Sequence, residues 1–120
     1  RDPLNQATKE GWTPAFAAAQ QGQTAALELL VEAGCDVNQA DEDGATPALI
    51  AAQQDQTAAL KILVKAGCDV NQADENGETP ACVAAYEGHT TALELLVTAG
   101  CDLNQATTNG WTPAHIAAQQ

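Results

Sequence analysis

The sequence predicts an all-α solenoid of stacked helix–turn–helix units, joined by turn or β-hairpin-like loops. Thr-Pro recurs four times at a constant interval of 33 residues, at Thr13, Thr46, Thr79 and Thr112. Within each unit, two short helical patterns follow one another, and no segment is long enough for a strand of a sheet. A fixed period in this range is typical of solenoids, whose units bury their apolar faces by stacking on their neighbours.

The first helix of each unit is predicted from its start and stop signals. In the unit 41–73, a turn over 41–44 ends on a Gly and leads to Thr46-Pro47. Thr46 is a suitable N-cap, and Pro47 suits the first helical position because its missing N–H would have no partner there. The helix is predicted to end near Asp55, where the neighbouring units have Gly. We expect Asp55 to lower stability, since a non-Gly residue is disfavoured in left-handed backbone.

The second helix of each unit is predicted from an apolar stripe. In the middle unit it begins near Thr57, ends at Gly67, and spaces its apolar residues at i, i+3 and i+4. A loop containing Cys68 and Asn71 then leads to the next turn, and the Asn is expected to bond local backbone there. The stripes of the three units predict a core of Leu27, Leu30, Val31, Leu60, Leu63, Val64, Leu93, Leu96 and Val97.

The recurring motifs, Gly-x-Thr-Pro, Ala-Ala, Leu-Leu-Val and Gly-x-Asp-Val-Asn, resemble the ankyrin repeat over essentially the whole chain. The family signature has a His two residues after the Pro, and only His115 keeps it. Phe16, Leu49 and Cys82 occupy the other three positions, so we expect apolar packing to replace the hydrogen bonds that this His makes in the family. The resemblance also makes the loop Asn residues candidates for hydroxylation.

The repeat divides the single array 1–120 into units. Residues 8–40, 41–73 and 74–106 are predicted as complete repeats. Residues 1–7 match the end of a preceding repeat, and 107–120 match the first half of a further one. Neither end has the polar outer face expected of a capping repeat, so we expect a fragment of a longer array.

Charge excludes several classes of partner. The chain has four Lys and Arg against sixteen Asp and Glu, and a net charge of −12. Clustered basic residues are needed to neutralise the phosphates of nucleic acids or of an anionic membrane surface, so neither is an expected partner. No apolar stretch approaches the ~20 residues of a membrane span.

The cysteines and histidines are expected to be structural. Cys35, Cys68 and Cys101 hold equivalent positions in stacked units, where helix spacing of about 8–10 Å disfavours disulfides. Reduced Cys predicts an intracellular, cytoplasmic protein. Cys82 and His115 have no third catalytic partner, the chain contains no Ser, and metal-ligand spacing is absent. We therefore expect no enzymatic activity, no metal and no cofactor.

The resemblance implies a protein-interaction module that binds its partner on the concave side, through the turn tips and the first helices. It is expected to be a monomer, and its partner to be a protein with a basic or amphipathic surface. A structural spacer in a longer array and an engineered ankyrin binder are the alternatives. The residues assigned to partner binding are Trp12, Glu42, Asp43, Ala45, Glu75, Asn76, Glu78, Tyr86, Glu87 and Trp111.

Overall fold

The computed structural model describes residues 5–119, and over this range the chain is a stack of short helices without strands. Residues 1–4 of the predicted tail and residue 120 of the predicted half repeat lie outside the described residues. No helix in the described range is long and apolar enough to span a membrane. The helices are α1 (Pro14–Gln21), α2 (Thr24–Glu32), α3 (Pro47–Gln53), α4 (Thr57–Lys65), α5 (Pro80–Glu87), α6 (Thr90–Thr98) and α7 (Pro113–Gln119).

The helices form two layers. The first helices of the units, α1, α3, α5 and α7, contact one another in sequence, and the second helices α2, α4 and α6 form a parallel row behind them. The stack measures 43 × 25 × 20 Å. The predicted all-α solenoid is thus confirmed, while the residue boundaries of the units stay a prediction.

The predicted starts of the first helices are confirmed. The hydroxyl oxygens of Thr13, Thr46 and Thr79 each accept a hydrogen bond from the backbone N–H three residues later, at 3.1–3.2 Å. All three Thr side chains are buried. A Pro occupies the first turn of each of these helices. The same local sequence therefore produces the same cap in successive units.

The ends of these helices differ in the way the sequence predicts. Gly22 and Gly88 close α1 and α5 with left-handed backbone. In the middle unit Asp55 occupies this region, with a φ of 57°, and it is the one non-Gly residue with positive φ among the described residues. Left-handed backbone is less favourable for Asp than for Gly, so Asp55 lowers the stability of the fold.

The predicted core is confirmed for most of its members. Leu27, Leu60, Leu63 and Leu96 are fully buried between the helix layers. Leu30, Val31, Val64 and Leu93 pack against this core in partly buried positions. The prediction for Val97 is wrong, because this side chain is 48% exposed. Val31 on α2 and Val64 on α4 are partly covered because each of these helices packs beside the second helix of the next unit. In the described residues no helix packs beyond α6, so Val97 is left uncovered.

The loop Asn residues do not bond local backbone, so that prediction is wrong. The Oδ1 of Asn38 accepts from the backbone N–H of Asp69 in the next unit at 2.7 Å, and Asn71 does the same to Asp102. The local bond is made by Asp, since Asp69 Oδ1 accepts from the Asn71 N–H at 3.0 Å. Gln72 adds a second link by donating its Nε2 to the carbonyl of Asn38. Asn thus ties successive units together.

A second set of links joins the helix layers of successive units. Gln56, just before α4, donates its Nε2 to the Gln20 carbonyl at 3.1 Å. His89 holds the same position before α6, and its Nδ1 lies 3.0 Å from the Ala52 carbonyl oxygen. Because a carbonyl oxygen only accepts, His89 carries its proton on Nδ1 in this contact. These hydrogen bonds fix the position of each unit relative to the preceding one, and they therefore set the distance between successive turn tips.

Candidate functional site

The two middle turn tips are each held in shape by an Asp side chain at the base, and the first and last tips by the hydroxyls of Thr8 and Thr107. The Oδ1 of Asp41 accepts from the backbone N–H groups of Asp43 and Ala45, each at 2.9 Å. The Asp41 N–H closes the loop by donating to the Ala45 carbonyl at 2.8 Å. Asp74 makes the same pattern with Asn76 and Glu78 in the next unit. The backbone of these tips is therefore rigid, and it sets the direction of the side chains at their outer ends.

Successive tips are joined directly through their backbones. The Glu42 N–H donates to the Glu10 carbonyl at 3.0 Å, and the Glu75 N–H donates to the Asp43 carbonyl at 2.9 Å. The Thr108 N–H continues this pattern to Asn76. Neighbouring tips are thus tied without the family His, and Phe16, Leu49 and Cys82 at that position are buried, which fits the apolar packing expected for them.

The tips and the exposed sides of the first helices border two hollows, which together we call the inner face. The N-terminal hollow, of about 380 Å³, spans the first three tips. Among the residues predicted for partner binding, its lining includes Trp12, Glu42, Asp43, Ala45, Glu75, Asn76 and Glu78.

The C-terminal hollow, of about 530 Å³, lies between the third tip and α7. Its lining includes the predicted residues Asn76, Glu78, Tyr86 and Trp111. Because Asn76 and Glu78 line both hollows, the two are neighbours on one surface. Of the ten predicted residues, Glu87 is exposed but borders neither hollow.

Three aromatic side chains are accessible on the inner face. Trp12 stacks on Phe16 with ring centroids 6.0 Å apart and planes 7° apart. Trp111 meets the His115 ring at 5.7 Å, with the planes 75° apart. Both Trp rings therefore pack on their own unit, yet they remain 41% and 46% exposed, and Tyr86 is 69% exposed. Phe16 is buried as expected.

The charge of the inner face is uniformly acidic. Of the described residues, no Lys, Arg or His lines either hollow, whereas Glu10, Glu42, Asp43, Asp74 and Glu75 all line the N-terminal one. Glu78 is a partly buried residue that lines both hollows. Burial, the negative charge of Asp74 and a hydrogen bond with it raise the pKa of the Glu78 carboxyl above its usual value. The described lining offers this carboxylate no cation to offset its desolvation.

Several lining residues were not assigned to the site from the sequence, and Ile116 is one of them. Ile116 on α7 borders the C-terminal hollow and is half-buried. Its repeat equivalent Val83 is buried in the core. The repeat register marks both positions as apolar and interior, so the sequence held no signal that one of them lies at the inner face.

Within residues 5–119, the His, Cys, Asp and Glu side chains form no cluster of metal ligands, and Cys82 and His115 are not arranged as a catalytic pair. No three His, Cys, Asp or Glu residues come together to hold a metal ion within the described part of the chain. Cys82 is 1% exposed, while His115 is exposed and packs on Trp111. The Cys82 thiol is therefore closed to a substrate. All four cysteines are free thiols.

Burial makes the Cys68 thiol a poor nucleophile. Burial and the adjacent charge of Asp69 raise its pKa to about 11. Burial and a neighbouring Asp also raise the pKa of Cys35 and of Cys101. Because the thiolate is the reactive form, these cysteines are protonated and slow to react at neutral pH.

The raised pKa of Cys68 predicts that stability falls in alkali. The folded state keeps the thiol proton while the unfolded chain loses it, so stability is lost as pH rises from about 9 towards 11. Urea unfolding of the parent and of Cys68→Ala, both under reducing conditions, is compared at about pH 8 and about pH 10.5, on either side of the ordinary thiol pKa. The parent is expected to lose more stability than Cys68→Ala over this range. An equal loss in both proteins would contradict the assignment.

The family-model comparison agrees with the repeat geometry. A model of ankyrin repeats, in three copies, matches residues 2–74 and 50–120. The chain belongs to the ankyrin repeat family. Ankyrin repeats generally serve as non-enzymatic scaffolds that mediate protein–protein interactions. No curated protein sequence matched the chain.

Proposed function

We propose that this ankyrin repeat chain is a scaffold that binds a protein partner through its inner face. The observation that carries the proposal is that two adjoining hollows hold the accessible rings of Trp12, Tyr86 and Trp111. Trp and Tyr are the residues most enriched among interface hot spots. An exposed aromatic surface supported by rigid backbone suits protein recognition better than the spacing of domains.

Binding to this face requires little ordering of the scaffold. The tips are held internally by Asp41 and Asp74, and neighbouring tips share backbone hydrogen bonds of 2.9–3.0 Å. Because the surface is preorganised, less conformational entropy is lost on association than for a flexible loop of the same size. The mechanism is therefore steric and electrostatic complementarity, without a chemical step.

The partner is a protein with a basic or amphipathic surface. The carboxylates of Glu10, Glu42, Asp43 and Glu75 line the N-terminal hollow, and its described lining contains no basic residue. A basic partner is attracted to such a surface at long range, which raises its association rate and makes that rate sensitive to salt. The rings supply the contacts that hold the complex once it has formed.

The remaining properties follow from charge and thiol chemistry. The net charge of −12 repels nucleic acids and anionic membranes. The four free thiols suit the reducing cytoplasm, where disulfides are rare. In this proposal the protein acts there as a monomer, without enzymatic activity or a cofactor.

The first test is capture of partners with matched variants. Trp111→Ala and Glu75→Lys alter the inner face, and Glu28→Lys makes the same charge change on the exposed side of α2. Proteins retained by the parent and by Glu28→Lys, but lost by both inner-face variants, are partners of the inner face. A spacer would retain no protein in this pattern.

The kinetics of such a partner provide a quantitative prediction. Glu75→Lys is expected to slow association several-fold at low salt, and Trp111→Ala to speed dissociation by about tenfold or more. Surface binding or stopped-flow measurements at two salt concentrations separate these effects, with Glu28→Lys as the control. A partner whose association rate ignores both salt and Glu75→Lys would contradict electrostatic recognition.

A further inference from the structure

The C-terminal hollow combines aromatic, apolar and acidic groups from four elements of two neighbouring units. Tyr86 comes from the end of α5, Trp111 from the last tip and Ile116 from α7, while Glu78 comes from the third tip. At about 530 Å³ the hollow is large enough to admit a long side chain. It differs from the N-terminal hollow, which has more carboxylates and whose aromatic residues are Trp12 and the buried Phe16.

The Trp111 ring is held in position, and both it and the Tyr86 ring have accessible surface. The His115 ring packs at 75° to the Trp111 ring and restrains it, and the backbone N–H of Trp111 donates to the Thr107 hydroxyl at 3.2 Å, which fixes the tip that carries the ring. Nearly half of Trp111 and more than two thirds of Tyr86 are accessible. The π faces of Trp and Tyr carry partial negative charge and attract cations.

The acidic group beside these rings has no positive partner in the described lining of the hollow. Glu78 is half-buried, and the charge that acts on it is that of another carboxylate, Asp74, to which the Glu78 carboxyl donates a hydrogen bond only while it carries its proton. Its raised pKa reflects that environment. A cation entering the hollow would face both the rings and this carboxylate, with no basic side chain of the described lining to repel it.

We propose that the C-terminal hollow holds one arginine side chain of the partner, stacked on the aromatic rings of Trp111 and Tyr86 and directed towards the Glu78 carboxylate. The inference rests on the proposed function and names the group that anchors the partner. Arginine fits better than lysine because its planar guanidinium is weakly hydrated, stacks on aromatic rings and forms paired hydrogen bonds with a carboxylate. A purely apolar anchor would leave Glu78 desolvated without a partner.

A host–guest peptide series tests the choice of anchor. The probe is Gly-Lys-Ser-Gly-X-Gly-Ser-Lys-Gly, with X as arginine, lysine, citrulline or leucine. Citrulline has the shape of arginine without its charge. Affinity is measured by titration, and NMR signals of the Trp111 indole and the Tyr86 ring report the location. We expect the arginine peptide to bind about tenfold more tightly than the citrulline peptide, with lysine between them.

Two matched variants assign the effect to the hollow. Glu78→Gln is expected to reduce the preference for arginine over citrulline to about threefold or less. Glu94→Gln removes the same charge from an exposed residue on α6 that does not line the hollow, and should leave the preference unchanged. Circular dichroism confirms that both variants are folded.

Three results would overturn the arginine proposal. They are a leucine peptide that binds as tightly as arginine, a preference that Glu78→Gln does not change, and no binding by any peptide of the series. The first of these results, if binding is equal for all four residues and depends on salt, would leave the inner face as the partner site. The proposed function fails separately, when partners of the parent are retained by both Trp111→Ala and Glu75→Lys.

Discussion

We expect Leu63→Ala to lower the free energy of unfolding by about 2–5 kcal/mol, because it opens a cavity in the centre of the array. Leu63 has no exposed surface and lies on α4, which packs against α3 and against the second helices on both sides, α2 and α6. The surrounding backbone is fixed by links between units, so it cannot close fully around the missing atoms.

The position of Leu63 in the middle unit adds a second effect. Each unit of a solenoid is stabilised mainly by its two neighbours, so weakening the central unit uncouples the ends of the stack. Urea unfolding should therefore show a lower midpoint, together with a broader or stepwise transition.

Leu29→Ala is the matched control for this prediction. It removes the same atoms from a side chain that is 67% exposed on α2. Its expected effect is within about 0.5 kcal/mol of the parent. A Leu63→Ala variant that unfolds at the same urea concentration as Leu29→Ala would show that Leu63 is not part of the core.

The parts of the fold that depend on neighbouring residues in sequence could be predicted. Thr46 and Pro47 start a helix by local hydrogen bonding and fixed φ, whatever surrounds them. The strain expected at Asp55 is also local, and the structure has this residue at a φ of 57°. Since each unit repeats these signals, the helix order follows from one unit.

The errors concern residues whose partners lie in another unit. Asn38 has a side chain that suits local bonding, but its acceptor oxygen is used by Asp69, 31 residues further on. Val97 fits the apolar stripe of α6, but its exposure depends on whether a further helix covers that side. Periodicity within a unit describes which side of a helix is apolar, without describing what packs against it.

The same distinction applies to the candidate site. The register indicates that Trp12, Tyr86 and Trp111 lie on one side of the array, and all three line the hollows of the inner face. Their division between two hollows, and the participation of Ile116, depend on how far each unit is offset from the next. That offset arises from links between units, such as the one from Gln56 to Gln20, which a single sequence does not reveal.

Gly44→Ala is expected to destabilise the array by about 2–5 kcal/mol, through backbone strain and a collision between neighbouring tips. Gly44 has a φ of 83°, which is unfavourable for any residue with a side chain. A Cβ at this position would lie 2.9 Å from the backbone nitrogen of Glu75 and 3.0 Å from the Cα of Asp74.

The atoms that the added methyl group would meet cannot move away independently. The Glu75 N–H is the donor that joins its tip to the Asp43 carbonyl at 2.9 Å, so displacing it breaks a link between units. The displaced tip also carries Glu78, which lines both hollows. We therefore expect the variant to lose affinity for an inner-face partner as well as stability, even at temperatures where it remains folded.

Gly67→Ala in the same unit separates strain from collision. Gly67 has nearly the same φ, 84°, but a Cβ there would meet no atom within 4 Å. It should lose only the strain of left-handed backbone, about 1–2 kcal/mol, and keep its affinity for the partner. Urea unfolding of both variants, together with partner binding under native conditions, makes the comparison. If Gly44→Ala matches Gly67→Ala in both stability and partner binding, the expected collision between neighbouring tips does not occur.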